Sequence, residues 1–119
     1  MIKERGPASH GDTDIRVVQR MYLENTDESK GHYKFYQVDF CYDKNSDEYV
    51  VCATWGRIGN ESGFQYKARG KKIDEVLEPM EKVMVQKLFS RGYNMKDVQR
   101  WAHEARPGEQ SCFEEEDWD

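Results

Sequence analysis

Apolar and polar residues alternate along successive short stretches up to residue 69, and the spacing then becomes helical, so the chain reads as an antiparallel sheet followed by helix. Residues 15–23 interleave Ile, Val, Met and Leu with basic or amide side chains and predict a first strand. Residues 24–31 are a polar loop ending in Gly31. Residues 33–42 predict the second strand, with Tyr36, Val38, Phe40 and Tyr42 on one face, and the polar turn 43–47 sends the chain back antiparallel. Residues 49–59 follow, rich in the β-branched and aromatic side chains that suit a pleated, half-buried strand. Strict alternation there puts Val50, Cys52, Thr54, Gly56 and Ile58 on one face and Tyr49, Val51, Ala53, Trp55 and Arg57 on the other. A hairpin tip at residues 60–63 leads to a fourth strand, 64–69, with Phe64, Tyr66 and Ala68 facing one way and Gln65, Lys67 and Arg69 the other.

From Asp74 the apolar residues Leu77, Met80, Met84 and Leu88 form a helical stripe, with Val76 and Val83 beside it and Asp74 or Glu78 available as cap. Pro79 is tolerated in a first turn, so the regular helix is expected over residues 78–91, or kinked at Pro79, with Gly92 as its stop. Asn94 and Asp97 have the spacing of a capping pair, and Val98, Trp101, Ala102 and Ala105 make an apolar stripe that predicts a short second helix before Pro107. The expected fold is α+β: a small antiparallel sheet of about four strands, one helix packed across it and an additional short C-terminal helix. Residues 1–14 show no apolar period and read as a flexible N-terminal arm, residues 15–106 as the domain, and residues 107–119 as an acidic disordered tail.

Composition narrows the function classes. At 119 residues the chain suits one modest domain. Its N-terminus lacks the apolar segment of a signal peptide and no run is long enough to span a membrane, which points to a cytoplasmic or nuclear protein. Cys41, Cys52 and Cys112 form no Cys-x-x-Cys pair, and His10, His32 and His103 are scattered, so free thiols and no metal site are expected. The net charge of −5 is unevenly distributed: residues 1–52 carry −3, residues 53–106 carry +4 and residues 107–119 carry −6. Glycines 56, 59 and 63 lack the Lys-Ser/Thr of a phosphate loop, and no converging catalytic set is visible; neither enzyme activity nor a cofactor is expected.

Two side chains draw chemical interest. Trp55 and Arg57 share a face, where an indole and a guanidinium can together grip a sugar-like or flat group and its phosphate. The plain alternative is a core Trp and a surface charge at a strand end. Lys67 and Arg69, with Lys71 and Lys72 beyond Gly70, add a basic run beside that strand. Lys87 falls inside the apolar arc of the helix, either snorkelling over the sheet or presenting a cation to phosphate. Trp101 either packs onto the domain or docks a partner.

Residues 53–59, with Trp55-Gly56-Arg57 at their centre, preceded by the aromatic strand 33–40 and followed by Gly92-Tyr93, resemble a WGR domain over residues 16–94. That module occurs in DNA-damage-responsive poly(ADP-ribose) polymerases and in small bacterial proteins. This chain departs from the family's frequent Gly-Gln after the signature, having Gly63-Phe64-Gln65 instead. The resemblance implies binding of DNA ends or breaks, with Trp55 stacking on a terminal sugar and Arg57 touching phosphate or bridging to a protein. A helix lysine near Lys87 also contacts DNA in the family. A protein-interaction adapter anchored by Trp55 and Arg57, or a regulatory partner of an ADP-ribosylating or DNA-processing enzyme, is the rival reading. The acidic residues 107–119 read either as a solvated end or as a nucleic-acid mimic that folds over the basic face.

Overall fold

The computed structural model describes the backbone of residues 8–9 and 12–101, and side chains from Asp14 to Trp101. The strands are β1 (Ala8–Ser9), β2 (Asp12–Asn25), β3 (Lys34–Asp43), β4 (Glu48–Arg57), β5 (Asn60–Gly70) and β6 (Asn94–Arg100). Helix α1 (Ile73–Val85) continues into a π-helical turn, Gln86–Ser90. All strand pairs are antiparallel in the order β1-β2-β3-β4-β5, and β6 also pairs with β2. β2 is long enough to give one edge to β3 and divide the other between β1 and β6.

The segment expected as a second helix is a strand. Residues 94–100 pair with residues 19–24 of β2, and Met95 and Val98 remain 39% and 44% exposed. The unpaired amides and carbonyls of a long strand edge demand a partner, and that demand overrides a capping-like pair and a sparse stripe. Ala102 and Ala105, and the whole 107–119 segment, lie outside the described residues. Part of the expected N-terminal arm is also a strand, since β2 begins at Asp12 and Ala8–Ser9 pairs with it.

Two clusters fill the faces of the sheet. On one side Val18, Met21, Leu23, Tyr36, Val38, Phe40, Tyr49, Val51 and Ala53 lie under Val76, Met80 and Met84 of α1. On the other, Ile15, Val17, Cys41, Val50 and Cys52 pack with Phe64 and Trp101. A bulge at Val18, between the pairs Val17–Cys41 and Gln19–Phe40, moves the odd residues of β2 from the second cluster to the first.

The helix starts earlier than expected, and Pro79 lies well inside it. The missing N–H leaves the Glu75 carbonyl without its helical donor, a cost of about 3 kcal/mol in an interior turn. The first turns hold because Val76 is fully buried, the Lys72 N–H donates to the Glu75 carboxylate (2.8 Å) and the Glu75 N–H donates to the Lys72 carbonyl (3.2 Å).

Candidate nucleic-acid interface

The site lies where β3, β4 and β5 meet the end of the helix. The β4–β5 reversal needs only Ile58 and Gly59, with Gly59 at φ +89°, so residues 60–63 belong to β5 and not to a hairpin tip. β5 then passes close over β4: a Cβ on Gly56 would lie 2.3 Å from the Asn60 carbonyl oxygen, and one on Gly63 would lie 2.1 Å from the Trp55 indole. The Gly of Trp-Gly-Arg is therefore a close-approach residue, and Gly63 is the bed for the Trp.

Trp55 is half-buried and stacks on Tyr36, with ring centroids 6.0 Å apart and 14° between planes. Tyr93 meets Tyr36 edge-on at 6.1 Å. It is placed there by Gly92, whose φ of +75° ends the helical segment, and the Asn25 side chain fixes that corner by donating to the Arg91 carbonyl at 2.9 Å. The π turn carries Lys87 inward, so that its ammonium sits 4.3 Å from the Tyr36 ring centre and 5.7 Å from that of Tyr93. The Lys34 ammonium also lies 5.7 Å from the Tyr93 ring centre. These rings and cations, with Arg57 and Lys67, line a hollow of about 390 Å³, and no carboxylate is among its lining residues.

Electrostatically the hollow is prepared for an anion. Burial, then the nearby charges of Arg91, Lys67 and Lys34, hold the Lys87 ammonium below the usual lysine range. Lys34 and Arg57 stand directly opposite in the β3–β4 pair, where like charges destabilise. Burial and the neighbouring Tyr93 push the Tyr36 hydroxyl up to about 12, so the aromatic wall stays neutral.

Of the residues singled out in the sequence, Trp55, Arg57, Lys67 and Lys87 come together here. Arg69 does not share their face. Lys67 is the extra residue of a bulge between the pairs Val51–Ala68 and Cys52–Tyr66, and this turns Arg69 to the opposite side. There it bonds Asp43 and Glu48, each at 3.0 Å, and lies over the Tyr66 ring. Phe64 and Tyr66 likewise face away from Ala68, which packs with the helix-side cluster. Lys71 reaches the Ser46 carbonyl at 3.2 Å, and Lys72 caps α1. Both lie at the far end of β4, about 26 Å from Arg57 at strand rise. Trp101 packs on the second cluster, with its backbone N–H donated to the Val18 carbonyl at 2.9 Å and Arg20 over its ring. Lys34, Tyr36 and Tyr93 were missed as site residues. Lys34 shares its alternation with Tyr36, and that was the available signal.

A WGR domain family model matches residues 19–100. The chain belongs to the WGR domain family. WGR domains are small non-catalytic modules known for binding nucleic acid in poly(ADP-ribose) polymerase-like proteins. A search of curated proteins finds no match. Among the described residues, no helix is long and apolar enough to cross a membrane.

Proposed function

We infer that this WGR chain is a non-catalytic module that binds DNA at an end or break. The terminal sugar lies against Trp55, and the adjoining phosphates sit among Lys34, Arg57, Lys67 and Lys87. The observation that supports this reading is the hollow itself, in which stacked aromatics are ringed by cations and no lining carboxylate competes for them. Stacking supplies a sequence-tolerant grip and the cations supply phosphate affinity, the combination that nucleic-acid ends present together. The deciding experiment is fluorescence anisotropy with blunt duplex, nicked duplex and a covalently closed duplex at two salt concentrations. End recognition predicts weaker binding to the closed substrate and a steep salt dependence. Equal binding to all three would remove the end-reading role.

One observation favours a second role as an adapter. Val85 and Phe89, one helical turn apart, are 54% and 81% exposed on the outer side of the helical segment, outside the hollow. An apolar pair of that kind suits a protein partner, such as an ADP-ribosylating or DNA-processing enzyme, and its interface would respond little to salt.

A further inference from the structure

We propose that the acidic segment of this same chain, residues 113–119, occupies the basic aromatic hollow when nucleic acid is absent. The proposal rests on the reading of that hollow as a phosphate and sugar site. Phe113-Glu114-Glu115-Glu116-Asp117-Trp118-Asp119 offers the features the hollow is built to take, namely clustered negative charge flanked by aromatic rings. The charge complementarity is local. Lys34, Lys67, Lys87 and Arg57 have no lining carboxylate, and Lys87 is held against three other cations, so an empty hollow stores repulsion that an acidic segment relieves.

The reach is sufficient. Trp101 is fixed by its bond to Val18, and the hollow lies near Lys34, which pairs with Asn25. Seven residues of β2 at about 3.3 Å each and two strand spacings of about 4.8 Å place the two roughly 25 Å apart. From Trp101 to Phe113 the chain has twelve residues, which extend to about 40 Å and leave slack for rounding the sheet edge. Because the segment is tethered, its effective concentration at the hollow is high even where the contact is weak. Weak ligands are then excluded and DNA must displace the segment.

The test uses the full chain. Cys41 and Cys52 are buried, so a nitroxide can be attached at Cys112, next to the acidic segment. In the absence of DNA, its paramagnetic broadening should fall on the amides of Lys34, Tyr36, Trp55 and Lys87, and should disappear when a duplex end is added or when salt is raised. A variant with Glu114, Glu115, Glu116, Asp117 and Asp119 changed to the corresponding amides should lose the broadening and bind duplex ends roughly tenfold more tightly at low salt. Broadening that is uniform, or centred on Phe64 and Tyr66 across the sheet, overturns the proposal, as does broadening that the neutralised variant retains. Failure of DNA to bind either protein, with the broadening at the hollow intact, would reject the DNA-end reading and leave the docking in place.

Discussion

Lys87→Met separates a ligand-binding cation from a structural one. In the free protein the ammonium gains a cation–π contact with Tyr36 at 4.3 Å, which contributes about 0.5–1 kcal/mol. Partial burial and repulsion from Arg91, Lys67 and Lys34 oppose it, each repulsion at surface screening being about 1 kcal/mol or less. Methionine keeps an unbranched apolar stem over the ring and removes both sides of that balance. Stability should therefore change by no more than about 1 kcal/mol, a melting shift within about 4–8 °C for a domain of this size. DNA affinity should fall by about 1.5 kcal/mol, roughly tenfold, and the slope of log K against log salt should drop by about one. Because the folded value of Lys87 lies below its unfolded one, its stabilising contribution is present above the unfolded lysine value and is lost as pH falls through the folded value. The variant should lack that alkaline gain. Anisotropy titrations over a salt series, paired with thermal melts, read all of these. A folded variant that binds duplex ends with wild-type affinity and slope would refute the placement of a phosphate at Lys87.

Trp55→Ala should cost about 1–3 kcal/mol of stability, less than deletion of a fully buried Trp, and should weaken end binding by about 1–3 kcal/mol while affecting a closed duplex less; equal loss on both substrates would make it a core residue. Met84→Asp puts a carboxylate under α1 within the helix-side cluster and should cost on the order of 3 kcal/mol or more, so a wild-type melt would refute the packing. Arg69→Ala breaks partly exposed ion pairs, should cost within about 1 kcal/mol and should leave DNA binding unchanged; a reduced salt slope would move the interface to the other face. Tyr36 gains its proton-dependent stability below about pH 10 and loses it as pH rises toward its folded value of about 12, so Tyr36→Phe should flatten the loss in denaturant midpoint over that alkaline window.

The face of β3 was legible because alternation through Tyr36, Val38, Phe40 and Tyr42 is uninterrupted, and the same rule correctly put Trp55 with Val51 and Ala53. It failed on β5, where the single extra residue at Lys67 reverses the parity of everything beyond it. No local signal marks that bulge, since it is set by the register of β5 against β4 between the pairs Val51–Ala68 and Cys52–Tyr66. The strand at residues 94–100 was hidden for a related reason. Every one of its side chains is exposed, so it has no buried face to impose a period, and only the open edge of β2 defines it. The hollow was half visible. Trp55, Arg57, Lys67 and Lys87 were found from type and pattern, but Tyr93 depends on the turn at Gly92 and on the π segment, which aims Lys87 at Tyr36.

A net charge of −5 is no obstacle to binding a polyanion here, because what a phosphate meets is the potential within about 8–10 Å, the screening length at ordinary salt. Asp43 and Glu48 are bonded to Arg69 and lie at the far end of β4, roughly 30 Å from Arg57 at strand rise. Asp39 is buried on the face away from the helix in a two-point contact with Arg20, at 2.8 and 3.2 Å. The cations of the hollow are left to act together while these carboxylates are neutralised by their own arginines. An acidic chain can hold phosphate in this way, and the acid it still carries at residues 114–119 is available to compete for that place.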